Sequence, residues 1–131
     1  MEATSNANTP LVKVENLSRI YGDTLVVDQV NFELSKGEVL GFLGPNGAGK
    51  STSMQMITGN LAPTTGQITI NGFDLIDQPI QAKGCIGYLP ENPPVYRELT
   101  VDEYLRYCAR LHRIPGTKLR TALDDAKQHC G

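Results

Sequence analysis

The chain has 131 residues and a formal net charge of −2, with 40% apolar and 20% charged residues. This length is enough for one domain with a hydrophobic core, and the composition is that of an ordinary soluble protein. The charge gives no bulk attraction to nucleic acid, so no nucleic-acid partner is expected. Residues 1–9 are polar and predict a disordered N-terminal tail rather than a secretory signal.

The segments that follow the tail predict an antiparallel β region. Four short stretches are β-prone or alternate between apolar and polar residues. They are residues 11–15, 24–27, 30–34 and 67–70. A turn at residues 21–23 separates two of them, and Asn71-Gly72 is a strong hairpin signal.

A second kind of strand is predicted at residues 39–43, where a continuous apolar run is typical of a strand buried on both faces of a parallel sheet. The segment 44–52 comes next and fits the phosphate-binding pattern G-x-x-x-x-G-K-S/T. Residues 50–57 can form a helix, which Gly59 would end. Strand, glycine loop and helix in this order predict a cradle for the phosphates of a nucleotide.

The residue types of this loop suit phosphate chemistry. Gly44, Gly47 and Gly49 can adopt positive φ, so that successive backbone N–H groups point at phosphate oxygens. The first turn of the helix adds unpaired N–H groups and the positive end of its dipole. Lys50 can reach the β- and γ-phosphates, and the hydroxyl of Ser51 suits a Mg²⁺ ion that keeps most of its waters.

The rest of the chain predicts one more buried strand and then helices. A short helix at 78–83 leads to an apolar run at 85–89, and the proline-rich segment 90–94 favours an irregular loop. Thr100 and Glu103 have the spacing of a capping box at the start of a helix, and a last helix is predicted from about residue 117. Cys85 and Cys108 are expected to be small buried hydrophobes in a reducing cytoplasm.

Together these motifs resemble the nucleotide-binding subunit of an ATP-binding cassette (ABC) transporter, from about residue 11 to the C-terminus. The sequence GPNGAGKST at 44–52 is far more specific than the bare pattern, and residues 86–91 and 98–105 resemble the gliding-motility and multidrug exporter subgroup. The resemblance implies an α/β fold: a P-loop NTPase core of the ABC type, an antiparallel β subdomain and the start of the helical subdomain. Residues 10–131 would then form the N-terminal part of an incomplete nucleotide-binding domain.

The resemblance also implies roles for individual residues. Tyr21 matches the aromatic residue that stacks on adenine, and Ser51 matches a ligand of Mg²⁺. Glu91 falls where most of the family has a glutamine that touches the metal site, so it is a candidate metal ligand. No residue is assigned to catalysis. The residues expected to hold the phosphates are Gly44, Pro45, Asn46, Gly47, Ala48, Gly49, Lys50, Ser51 and Thr52.

The family further implies ATP and Mg²⁺ as cofactors, ATP hydrolysis, a membrane-spanning permease, a second nucleotide-binding subunit, and a place on the cytoplasmic face of the cell membrane. The serine-glycine-glycine signature loop, the second acidic strand and the switch histidine do not follow Glu91. These 131 residues alone are therefore expected to bind ATP better than they hydrolyse it. Two alternatives stay open: a nucleotide-binding fragment without catalysis, and a soluble ABC-type ATPase that is not tied to transport.

Overall fold

The computed structural model describes residues 9–45, 47 and 49–131. The chain forms two compact units, of which the first ends at Tyr88 and the second runs from Leu89 to Gly131. The predicted tail, apart from Thr9, lies outside the described residues, as do Asn46 and Ala48 of the predicted phosphate loop. Whether residues 10–131 belong to one incomplete domain stays a prediction.

The first unit is built on an antiparallel sheet of four strands in the order β2-β1-β3-β4. The strands are β1 (Val12–Tyr21), β2 (Thr24–Leu34), β3 (Thr65–Ile70) and β4 (Phe73–Asp74). The predicted antiparallel region is therefore confirmed, with the first three short segments merged into two long strands. At the hairpin between β3 and β4, Asn71 and Gly72 both have positive φ, as a two-residue turn of the primed type requires.

Two helices pack in the first unit. α1 (Lys50–Ile57) follows the glycine loop with the bounds that the sequence predicts, and α2 (Pro79–Lys83) follows β4. Met56 of α1 is fully buried in a core with side chains of β1, β2 and β3. This contact fixes α1, and with it the C-terminal end of the loop, against the sheet.

The second unit contains two helices, α3 (Val101–Leu111) and α4 (Gly116–Cys130). The predicted capping box is confirmed at the start of α3: the Thr100 hydroxyl accepts from the Glu103 N–H, and the Glu103 carboxylate accepts from the Thr100 N–H. Lys127 of α4 and Asp102 of α3 form an exposed salt bridge of 2.9 Å between the two helices, and Ala109 of α3 and Leu123 of α4 are buried. Among the described residues, none of the helices has both the length and the apolarity needed to cross a membrane.

The prediction of two parallel-sheet strands, at residues 39–43 and 85–89, is wrong for this structure. Residues 38–45 and 86–90 are neither strand nor helix. Val39 and Leu43 are 98% and 94% exposed, and Leu89 is 81% exposed. A strand of this type is stabilised by neighbours that hydrogen-bond along both edges and cover both faces, and the described part of the chain supplies none for either segment.

The prediction that Cys85 is buried is also wrong, because it depended on the strand at 85–89. Cys85 is exposed, and its thiol donates to the carbonyl oxygen of Gln81 in the preceding turn of α2. Cys108 is partly buried on α3, closer to the expectation.

Candidate functional site

The glycine loop ends in the left-handed backbone conformation that the motif predicts. Gly47 and Gly49 have φ values of 86° and 87°, and Gly49 is the residue that precedes the first turn of α1. The first hydrogen bond of the helix runs from the N–H of Ser53 to the carbonyl oxygen of Gly49, at 2.9 Å. Among the residues that the structure describes, which exclude Asn46 and Ala48 of the loop, no side chain caps this end of α1. Its first N–H groups are therefore open to an anion in the manner of a helix N-terminus.

Gly49 is also in close contact with β2. A Cβ atom at Gly49 would lie 2.6 Å from the carbonyl oxygen of Val26 and 3.1 Å from a methyl group of Val27. Only glycine can adopt this φ and approach the strand this closely. The loop is thus held by the antiparallel sheet, and its position depends on a strand outside the motif.

A small open cavity of about 180 Å³ lies at this junction. It is lined by Val26, Gly47, Gly49, Lys50, Ser51 and Thr52. The ammonium group of Lys50 donates to the carbonyl oxygen of Gly44, so the side chain folds back over the loop that precedes it. The cation and the positive end of α1 act on the same small volume, which gives the site the charge of an anion-binding site.

The donor set fits a Mg²⁺ ion held mainly by phosphate and water. Ser51 is exposed and lines the cavity next to Lys50, so its hydroxyl can serve as one oxygen ligand of the ion. In the part of the chain that the structure describes, no three His, Cys, Asp or Glu side chains gather into a metal site. Mg²⁺ usually keeps several waters and takes only one or two protein ligands besides phosphate, and one exposed hydroxyl suits that arrangement.

Tyr21 lies at the end of β1, where it pairs with Thr24 of β2. Thr24 precedes Val26 by two positions, so the backbone at Tyr21 is roughly 7 Å along the strand direction from the part of β2 that borders the cavity. Tyr21 is 45% exposed. An exposed aromatic ring therefore lies on the same hairpin that holds the phosphate loop.

The other predicted site residues are placed as follows. Gly44 and Pro45 are exposed in the segment that enters the loop. Glu91 is exposed and belongs to the second unit, so its role at a metal ion stays a prediction.

Sequence reasoning missed two residues near this site. Val26 borders the cavity, and Arg19 lies over the ring of Tyr21. The sequence did carry a signal for Arg19: it precedes Tyr21 by two positions in a strand, and alternate residues of a strand lie on the same face. No comparable signal in the sequence marks Val26, since its contact arises from the fold.

A glycine loop closed by a helix and ending in Gly-Lys-Ser defines a P-loop nucleotide-binding protein. The comparisons with known proteins specify the class: residues 27–130 match the family described as "ABC transporter". The chain belongs to the ABC transporter family.

Two curated relatives are ATP-binding proteins of this family. The probable multidrug ABC transporter ATP-binding protein YbhF of Escherichia coli is 38% identical over 106 residues, which cover 81% of this chain and 18% of YbhF. The linearmycin resistance ATP-binding protein LnrL of Bacillus subtilis is 32% identical over 121 residues, covering 92% of this chain and 39% of LnrL. This chain thus spans less than half the length of either relative.

The fold is also that of a solved ABC protein. A structure titled as the ATP-binding subunit of an ABC transporter superposes with a TM-score of 0.73 at 38% sequence identity, covering 82% of this chain and 45% of the other. The resemblance to ABC nucleotide-binding subunits and the ABC-type fold class predicted from the sequence are both confirmed.

Proposed function

We propose that this chain binds ATP together with Mg²⁺ at the loop of residues 44–52, as the nucleotide-binding part of an exporter-like ABC transporter. The observation that carries this proposal is the junction of loop, α1 and β2. Two left-handed glycines and a helix N-terminus that no described side chain caps adjoin Lys50 and Ser51 in one cavity. A site that offers N–H donors, a helix dipole and a cation suits a polyphosphate.

Each residue has a distinct part in this proposal. The ammonium of Lys50 exchanges its hydrogen bond with the Gly44 carbonyl for one with a phosphate oxygen. A magnesium ion would neutralise phosphate charge, with the Ser51 hydroxyl as its protein ligand. Tyr21 offers an exposed ring on which the adenine stacks. Glu91 is proposed as a further contact of the metal site, in the place where most of the family has glutamine.

The role in a whole transporter is a proposal drawn from the relatives. One is named for multidrug transport and the other for linearmycin resistance, and both names fit export. We infer that the protein hydrolyses ATP as part of an assembly with a membrane-spanning permease and a second nucleotide-binding subunit, on the inner face of the cell membrane.

The decisive experiment titrates the chain with a fluorescent ATP analogue in the presence of Mg²⁺. A charge-assisted hydrogen bond contributes about 1.5–3 kcal/mol, so Lys50→Ala should weaken binding at least about tenfold. The matched control is Lys36→Ala, which removes the same charge from an exposed turn of the same unit. Control affinity is expected to equal that of the wild type, and thermal unfolding of both variants checks that the fold is kept.

Equal affinities of the wild type and the Lys50→Ala variant would refute the assignment of the loop. A loss that is equally large in the Lys36→Ala variant would show that binding follows net charge rather than the site.

A further inference from the structure

Arg19 and Tyr21 form a contact that the nucleotide chemistry above does not use. The central carbon of the Arg19 guanidinium lies 4.6 Å from the centroid of the Tyr21 ring, in cation–π geometry. One face of the tyrosine ring is therefore covered by a cation, and Tyr21 as a whole is still 45% exposed.

The same guanidinium is anchored to the chain segment before β3. A terminal nitrogen of Arg19 donates to the carbonyl oxygen of Ala62 at 2.7 Å. The backbone N–H of Ile20, between Arg19 and Tyr21, donates to the hydroxyl of Thr64 at 3.0 Å. The end of β1 is thus attached to residues 62–64 by one side-chain and one backbone hydrogen bond.

The Nε atom of Arg19 shows what this arrangement costs. It is shielded from solvent and has no hydrogen-bond partner within the described ranges. A guanidinium that was not held by other contacts would expose this donor to water, because a shielded donor without a hydrogen-bond partner is unfavourable. Its position is accounted for by the two contacts it does make, with the Ala62 carbonyl and the Tyr21 ring.

We propose that Arg19 is a positioning residue for the nucleotide base: it fixes Tyr21 with one ring face covered and leaves the opposite face as the stacking surface. This inference rests on the proposed binding of ATP. A ring held in place before the ligand arrives loses less side-chain freedom on binding than a free one does. The effect of Arg19 on affinity is therefore exerted through Tyr21.

A double-mutant cycle tests this dependence with the fluorescent ATP analogue and Mg²⁺. Arg19→Gln in the wild-type background should weaken binding roughly threefold to tenfold, from the lost ring contact and the lost order of the ring. In a Tyr21→Ala background the same change should have no effect, since no ring is left to position. Lys36→Gln, which removes one positive charge elsewhere in the unit, should leave affinity unchanged in both backgrounds.

A second variant separates positioning from general stability. Arg19→Lys keeps a cation on the strand, so it should recover part of the affinity that Arg19→Gln loses, and again only when Tyr21 is present. Thermal unfolding identifies variants that lose their fold. If Arg19→Gln is one of them, the affinities of Arg19→Lys in the wild-type and Tyr21→Ala backgrounds decide whether Arg19 acts through the ring.

Equal losses in the two backgrounds would overturn the inference, because Arg19 would then act independently of the ring. The proposed function fails by a different result: in that case Lys50→Ala binds as tightly as the wild type. If Lys50→Ala loses binding while the Arg19 changes have no effect in either background, the nucleotide site stands and only the positioning role is refuted.

Discussion

Replacing Gly49 with alanine should damage both the fold and the nucleotide site, because two structural constraints meet at this residue. Its φ of 87° lies in the left-handed region, where a non-glycine residue costs about 1–2 kcal/mol. The added methyl group would also lie 2.6 Å from the carbonyl oxygen of Val26, a backbone atom that cannot move without shifting β2. Overpacking of this kind costs about 1–3 kcal/mol more.

Gly37 provides the matched control for this substitution. Its φ of 84° is nearly that of Gly49, but a Cβ atom there would meet nothing within 4 Å. Gly37→Ala therefore carries the conformational cost alone, and the difference between the two variants isolates the contact with β2. We expect Gly49→Ala to be destabilised by about 2–5 kcal/mol and Gly37→Ala by about 1–2 kcal/mol.

Urea unfolding gives the two free energies of unfolding, and titration with the fluorescent ATP analogue gives the affinities. Gly37→Ala should bind as the wild type does, whereas any folded Gly49→Ala protein should bind at least about tenfold more weakly because the loop is displaced. Equal stability and equal affinity of the two variants would show that the loop does not depend on its contact with β2.

Two further predictions concern the parts of the fold outside the loop. The carboxylate of Asp74 accepts hydrogen bonds from the Asp77 N–H, the Gln67 side chain and the Ile76 N–H, and these bonds lower its pKa below the ordinary value. The charged carboxylate therefore stabilises the fold fully at neutral pH, and this stabilisation is lost as the pH falls through the lowered pKa. Asp74→Asn should therefore lower the urea midpoint at pH 7, and the difference in midpoint between wild type and variant should become smaller toward about pH 3. A difference that stays constant with pH would contradict this. Thr100→Ala removes the capping hydroxyl and should destabilise α3 by about 1 kcal/mol, seen as faster amide hydrogen exchange in its first turn. Thr117→Ala is the control: the side chain of Thr117 makes no capping hydrogen bond at the start of α4 in the described structure, so its removal should cause no such change.

The features that the sequence predicts well are those decided by near neighbours in the chain. α1 begins at Lys50 and ends at Ile57 as predicted, because the glycines before it and Gly59 after it determine its ends locally. The Asn71-Gly72 turn follows from the φ values that these residues tolerate. The capping box at Thr100 needs only the residue three positions later.

The features that the sequence predicts badly are those that need distant partners. The apolar pattern of residues 39–43 is that of a buried parallel strand, but such a strand forms only where neighbouring strands hydrogen-bond to it. In the absence of such neighbours the segment stays irregular, and the ring of Phe42 contacts that of Phe32 in β2, with the two ring centroids 6.2 Å apart. The misplacement of Cys85 has the same origin, because its burial was inferred from a strand that does not form.

The phosphate loop itself lies between these two cases. The motif specifies glycine at position 49, and phosphate chemistry alone explains that choice, since a bare backbone can approach an anion closely. The structure adds a second reason, because the same missing side chain lets the loop lie against the carbonyl oxygen of Val26. The residue that shapes the loop toward a ligand on one side is therefore also the residue that attaches it to the sheet on the other. If ATP binds this loop as proposed, we expect the loop to lose little conformational freedom on binding, so that a strand outside the motif would contribute to affinity.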